Sequence, residues 1–257
     1  MDTLAVWTIK GGVGKTAASV NLAHAAAMSG VRTLLWDLDP QGATSFYLRA
    51  LPRLPGGVET LLDRSLDLME YVQPSEFDNL FLLPADFSYR HLDLALEESA
   101  KPKKALAKRL RPLAAEFDLV VIDCPPSVSA VSEAVLRAAD ALIVPVIPTT
   151  LSMRTLEQVR AFVATAGKHQ PTLLPFLSMV DRRKRIHLDT CEECLADSRF
   201  LRTTIPSASV VERMGVTRAP VAATLPSQPA ARAFGELWRE IAQRLRIGPG
   251  MGCTFER

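Results

Sequence analysis

The chain has 257 residues, 48% of them hydrophobic and 23% charged, with 30 Lys and Arg against 28 Asp and Glu for a formal net charge of +2. That composition excludes a disordered, collagen-like or coiled-coil protein, and the length suits one large α/β domain or two small ones with a sizeable core. Four cysteines are too few for a disulfide scaffold, and no signal peptide or long apolar run is evident, so a cytoplasmic protein with reduced thiols is expected.

In chain order, continuously apolar runs at 4–9, 32–38, 80–83, 119–122, 141–146 and 173–179 read as strands buried on both faces of a parallel sheet. Between them lie helix-length segments at 16–29, stopped by Gly30, at 129–138 and at 153–165. The alternation predicts a doubly wound, mostly parallel α/β sheet flanked by helices. The stretch 48–78, rich in Pro and Gly at its start (LPRLPGGV), breaks that rhythm and is expected as helices and loops packed to one side. Phe234, Leu237, Trp238, Ile241 and Leu245 fall at helical spacing within 230–245, so one face of that helix should dock on the body. Residues from about 248 to 257, with Gly248, Gly250 and Gly252, are expected as a loose tail on a single domain spanning 1–257.

The first strand runs into Lys10-Gly11-Gly12-Val13-Gly14-Lys15-Thr16 and then a helix. This is the arrangement that cradles nucleotide phosphates: glycines turn backbone N–H groups toward the oxygens, and the helix N-terminus adds its dipole. Lys15 would reach the β- and γ-phosphates and Thr16 would hold Mg²⁺. One letter departs from G-x-x-x-x-G-K-[ST], because the first glycine falls at Ile9, while Lys10 opens the loop. Two acidic stations follow predicted strands, Asp37-Leu38-Asp39-Pro40-Gln41-Gly42 and Asp123-Cys124-Pro125-Pro126-Ser127. At the C-terminal ends of neighbouring parallel strands they would face the ligand crevice. Asp123 is expected to hold Mg²⁺ through a water, and Asp39 to orient or deprotonate the water attacking the γ-phosphate. Pro40 ends the strand and sets a loop able to sense that phosphate.

KGGVGKT, DLDPQG and IDCPPS resemble the deviant Walker A, switch and Walker B motifs of ParA-type ATPases, the MinD/ParA group of P-loop proteins, and the resemblance extends through most of the chain. LSMVDRRKR resembles the strand and loop beside the adenine, and TTIPSASVVERMGVTRAPV the group's segment ending in Pro-Val. The resemblance implies a P-loop NTPase fold, ATP and Mg²⁺ as cofactors, and ATP-dependent sandwich homodimers. Gly11, Gly12, Val13, Gly14, Lys15, Thr16 and Ala17 would then surround the phosphates, and Lys10 would reach the partner subunit's phosphates. Met179, Asp181 and Pro206 would lie near the adenine. Ala17 stands where Thr or Ser is usual, and Ser207 where many members have Arg. The resemblance further implies ATP-dependent binding of non-specific double-stranded DNA, nucleoid association, and hydrolysis stimulated by a ParB-like or cargo-adaptor protein. The cargo would be plasmid or chromosomal DNA, or a protein assembly such as a carboxysome or chemoreceptor cluster. Two readings of other classes stay open: a dethiobiotin-synthetase-like ligase, and an iron–sulfur carrier related to nitrogenase iron protein.

Candidate DNA contacts are the run Arg182, Arg183, Lys184 and Arg185, expected in a loop after a strand, together with Arg213 and Arg218. A third cluster, Lys101, Lys103, Lys104, Lys108, Arg109 and Arg111, reads as the solvated face of an amphipathic helix. No aromatic interleaving supports single-strand stacking, and no room for a helix-turn-helix domain is expected before the first strand. The tail shows no basic amphipathic helix, so no membrane partner is expected. Cys191-Glu192-Glu193-Cys194 supplies only two thiols, with His187 four positions upstream, and reads as a surface helix before it reads as a metal site. Cys124 reads as a small packing residue.

Overall fold

The computed structural model describes residues 1–52, 54–63, 65–167 and 169–249. The strands in chain order are β1 (Asp2–Val6), β2 (Thr33–Asp37), β3 (Gln73–Pro74), β4 (Leu80–Leu83), β5 (Leu119–Asp123), β6 (Ala141–Val146), β7 (Thr172–Val180) and β8 (Thr204–Pro206). They form one sheet in the order β3-β4-β2-β5-β1-β6-β7-β8. All neighbours are parallel except β3, which pairs antiparallel with β4.

The longer helices are α1 (Lys15–Met28), α6 (Ala130–Ala138), α7 (Thr150–Ala164), α8 (Arg185–Ala196) and α12 (Pro229–Leu245). Shorter ones are α2 (Ala43–Tyr47), α3 (Val58–Leu62), α4 (Leu92–Glu97), α5 (Ala105–Leu110), α9 (Ser209–Glu212), α10 (Met214–Thr217) and α11 (Val221–Thr224). Strand alternation divides the core in two. Leu4 and Val6 of β1 with Leu119 and Val121 of β5 face α1 and α12, while Ala5, Val120 and Ile122 face α4 to α7. The fold is therefore the doubly wound α/β architecture, with helices on both faces. Alanines at 18, 23, 26 and 27 let α1 lie close on the sheet beneath α12, which buries Phe234, Leu237, Trp238 and Ile241. Trp238 also donates from its ring nitrogen to Ser29 Oγ at 3.0 Å.

Register positions the crevice. Val6 lies opposite Asp123, and Asp123 opposite Asp37, so β1, β5 and β2 end at one level. The glycine loop and both acidic stations leave the sheet there.

Several expectations are corrected. β1 ends at Val6 rather than residue 9, because the chain already leaves the ladder into the phosphate loop. The stretch 48–78 contains a strand, β3, besides α3 and a 3₁₀ turn. β8 is a further strand that its three residues gave no periodicity to announce. Arg185 belongs to α8, not to the preceding loop. The basic segment 101–111 is no continuous amphipathic helix: 3₁₀ turns at Pro102–Lys104 and Pro112–Ala115 flank the short α5, each with a proline in its first turn. In the expected tail, residues 250–257, including Gly252 and Cys253, lie outside the described residues. Among the described residues no helix is long and apolar enough to cross a membrane.

Candidate active site

α1 begins at Lys15 directly after Gly14, whose φ is 92°, and no side chain caps it and no acidic residue occupies its first turn. Its first N–H groups therefore face outward without an intramolecular acceptor, the feature that favours an anion. A side chain at Gly14 would combine that left-handed backbone with a Cβ only 3.1 Å from Ser178 Oγ. Ser178 in turn donates to the Val13 carbonyl at 2.9 Å, pinning the loop to β7.

The loop opens into a cavity of about 460 Å³. Gly11, Gly12, Gly14, Lys15, Thr16 and Ala17 line it together with Asp39, and Met179, Ile205, Pro206 and Phe234 give it an apolar side. A polar cradle joined to an apolar slot suits a phosphorylated ligand with a flat base. Met179 holds a left-handed φ of 54° where the β7–β8 register slips, which turns the end of β7 toward this cavity.

Two carboxylates sit below the loop. Asp123 is 1% exposed; its Oδ1 accepts from Ser19 Oγ at 2.9 Å and its Oδ2 from Thr44 Oγ1 at 2.7 Å. Burial pushes its pKa up, against the pull of the Thr44, Ser19 and Thr16 hydroxyls. Asp37 is fully buried; its Oδ2 accepts from the Ser45 amide and hydroxyl, and its Oδ1 from the Asp39 amide. Burial, and next the charge of Asp123, raise Asp37 to about 7. Ser45 Oγ also accepts from the Ala85 amide at 2.9 Å, which ties α2 to the segment after β4. Asp39 itself is half-buried and faces the cavity.

The two lysines part company. Lys15 is 7% exposed and donates to the Lys10 carbonyl at 3.3 Å. Burial lowers its pKa, with Asp123 and Asp39 pulling it back up. Lys10 points away along α7 and donates to Ser152 Oγ at 3.1 Å.

Thus Gly11, Gly12, Gly14, Lys15, Thr16, Ala17, Asp39, Met179 and Pro206 share one cavity, with Asp123 directly beneath. Val13 is buried under the loop. Asp181 is not in that lining: its carboxylate takes two bonds from the Arg183 guanidinium, at 2.9 and 3.0 Å, and one from the Arg183 amide, and its own amide donates to His187 Nδ1. The Arg183 guanidinium holds it down to about 2. Sequence reasoning missed Asp37, Ser19, Thr44, Ser45 and Ser152 as functional residues. Asp37 opens the DLDPQG motif; the hydroxyls carry no spacing signal of their own.

The candidate surface cations differ in their engagements. Arg182, Arg183, Lys184 and Arg185 are exposed, but Arg183 is paired with Asp181 and Arg185 with Asp189 at 2.8 Å. Arg213 is exposed, whereas Arg218 is half-buried. Arg218 donates to the Phe46 carbonyl at 2.9 Å and stacks 4.5 Å from the Phe46 ring centre, strapping α10 to α2. On α8, Cys194 is buried against Met153 and burial pushes its thiol to about 11. His187 Nδ1 is already an acceptor, and among the described residues no three potential metal ligands of the His, Cys, Asp or Glu type come together.

The family described as AAA domain matches residues 1–175. The virulence plasmid ParA family protein pGP5-D of Chlamydia trachomatis is 31% identical over 257 residues, covering 96% of each chain. The sporulation initiation inhibitor protein Soj of Bacillus subtilis is 28% identical over 246 residues, covering 93% of this chain and 97% of its own. Among solved structures, cobyrinic acid a,c-diamide synthase from Mycobacterium smegmatis, with bound ATP analogue and magnesium, superposes with a TM-score of 0.78 at 27% identity over 96% of both chains. An uncapped helix behind a glycine loop, a lysine and two strand-end aspartates beneath it, and this similarity along nearly the whole length make the chain a member of the ParA/MinD family of P-loop ATPases, the partition and positioning ATPases.

Proposed function

We propose that the chain, acting as one domain over 1–257, hydrolyses ATP with Mg²⁺ as a nucleotide-dependent homodimer that binds double-stranded DNA without sequence preference and positions a DNA cargo under the control of a ParB-like partner. The observation that carries this reading is the convergence of Lys15, Thr16 and Asp39 on one cavity, with Asp123 directly below it.

The donors fit Mg²⁺, a hard cation that prefers oxygen and keeps much of its water. The Thr16 hydroxyl would bind it directly. Both Asp123 oxygens already accept from Ser19 and Thr44, which favours a contact through water. When bound, Mg²⁺ neutralises charge on the phosphate oxygens. Lys15, held in a buried site at the start of α1, binds the phosphates beside the outward amides of that helix. Asp39 orients the attacking water and accepts its proton, with its backbone fixed by Asp37. Lys10, seated on Ser152 in its own subunit, is the group that would cross to the partner's phosphates and stabilise the charge developing there. Met179 and Pro206 form the slot for the base. Arg182, Arg183, Lys184, Arg185 and Arg213 supply the exposed cations for DNA phosphates. A relative named chromosome partitioning protein ParA, from Caulobacter vibrioides and 28% identical over 96% of both chains, supports the partition role.

The test is the molecular mass of the purified chain with Mg²⁺ and a non-cleavable ATP analogue, followed by retardation of arbitrary duplex DNA. A dimer that retards DNA only with nucleotide is the expected result. A chain that stays monomeric at every concentration defeats the reading. A ligase reading keeps one supporting observation, the synthase name of the Mycobacterium smegmatis relative. Turnover dependent on an added carboxylic acid, and indifferent to DNA, would favour it.

A further inference from the structure

A groove of about 480 Å³ runs between α5 and α6, at the opposite end of the sheet from the nucleotide cavity. Arg111 precedes β5, Arg137 lies in the last turn of α6 just before β6, and His169 precedes β7, so the groove faces the N-terminal ends of these strands. Its charged lining is Lys101, Lys104, Lys108, Arg111, Arg137 and His169, and no carboxylate takes part in it.

Lys101, Lys104, Lys108 and Arg111 come from the cap and the end of the 3₁₀ turn before α5, from α5 itself and from its C-terminal end, and all four line the groove. Leu106, Leu110 and Arg109 of the same segment are buried. Lys103 is paired with Glu133 at 3.0 Å. Among the described residues, no carboxylate lies within ion-pair distance of Lys101, Lys104, Arg111 or Arg137. Asp140 is close enough to His169 to feel its charge. Like charges gathered in one concavity repel each other, in a protein whose overall charge is only +2. An anionic ligand removes that repulsion.

We propose that this groove is a second contact for the phosphate backbone of duplex DNA. The row from Lys101 to Arg111 spans roughly 15–20 Å at helical rise, and a duplex presents about one charge per 1.7 Å of axis. An extended polyanion thus meets the whole row, where a compact anion would meet only part of it. Ala107 is the one apolar residue in that lining and the rest of its hydrocarbon surface is lysine and arginine stem, so an acidic protein segment would find charge there without a pocket to anchor a large apolar side chain. Of the six candidate contacts read from the sequence, Arg183 and Arg185 carry carboxylate partners and Arg218 is strapped to Phe46, which leaves Arg182, Lys184 and Arg213, whereas the groove gathers four cations that are in no ion pair among the described residues. The inference rests on the DNA-binding function proposed for the chain.

The experiment uses the full chain with Mg²⁺, a non-cleavable ATP analogue and a short duplex of arbitrary sequence, with affinity measured across a salt series. The variant carries Lys101→Ala, Lys104→Ala and Arg111→Ala. Its log–log salt slope should be shallower by about 2–3, near 0.9 for each phosphate no longer neutralised, and its affinity at low salt should drop at least about tenfold. Nucleotide-dependent dimerisation and DNA-free ATPase should be unchanged, and Lys101→Arg, Lys104→Arg and Arg111→Lys together should restore binding. Acetylation footprinting of the unaltered chain should find Lys101 and Lys104 protected by DNA, a readout independent of how the variant folds. A variant with wild-type slope, footprints without protection, or a loss confined to binding of polyglutamate overturns the groove while leaving the ATPase reading intact. A wild-type chain that binds no DNA in any nucleotide state overturns both.

Discussion

Asp37 on β2 and Asp123 on β5 stand opposite each other in register, and each is held by a hydroxyl from consecutive residues of α2, Ser45 and Thr44, both at 2.7 Å. α2 follows the loop that carries Asp39, so that loop is fastened at its start by Asp37 and at its end by both aspartates. The segment carrying Asp39 is thereby anchored to two neighbouring strands.

Ser45→Ala should cost about 1–3 kcal/mol of stability, because it strips a bond from buried Asp37 and leaves the Ala85 amide without its acceptor. Denaturant unfolding without nucleotide measures it. A change smaller than about 0.5 kcal/mol, the range of an ordinary surface substitution, would mean the link carries little.

The Asp37 shift fixes a direction with pH. Its folded value of about 7 lies above the ordinary carboxylate value of 3.8, so between the two the folded chain keeps a proton that the unfolded chain releases. Stability from this group is complete below the lower value and is lost as pH rises through the upper one. Relative to Asp37→Asn, which does not titrate, the nucleotide-free wild type should lose melting temperature across that window. Parallel curves for the two proteins would show that Asp37 is ionised throughout.

Asp39→Ala should leave nucleotide-dependent dimers intact and reduce ATP turnover by about 10²–10⁴-fold, the usual contribution of a general base. Lys15→Ala should instead abolish nucleotide binding and, with it, the dimer. Equal turnover by wild type and Asp39→Ala would remove that aspartate from the mechanism.

Arg213 and Arg218 should separate. Arg218→Ala should destabilise the fold by about 1–2 kcal/mol, because it removes the bond to the Phe46 carbonyl and the stacking on its ring. Arg213→Ala should leave stability unchanged and weaken DNA binding. The melting temperatures of the two variants decide it; equal values would mean the Arg218 strap adds nothing.

The sheet centre was readable because the middles of β1, β2, β5, β6 and β7 are buried on both faces and form continuous apolar runs, with polar residues kept to their ends. The phosphate loop was readable because glycine and lysine have few substitutes there. β3 and β8 were not, since two or three residues carry no period. The hydroxyls of Ser19, Thr44 and Ser45 were hidden for another reason: their partners lie 104, 79 and 8 positions away in sequence. The same distance effect hid the fate of the cations. Arg218 read as a candidate DNA contact and Lys104 as part of a solvated face, yet Phe46 lies 172 positions from Arg218 and only folding brings them together.

Both margins of the sheet are short and end in proline: Gln73–Pro74 on one side, Thr204–Pro206 on the other. Proline offers no amide to a newcomer, and so few residues give an incoming chain little to zip onto. Lateral growth into fibrils by strand addition is thereby discouraged at either flank.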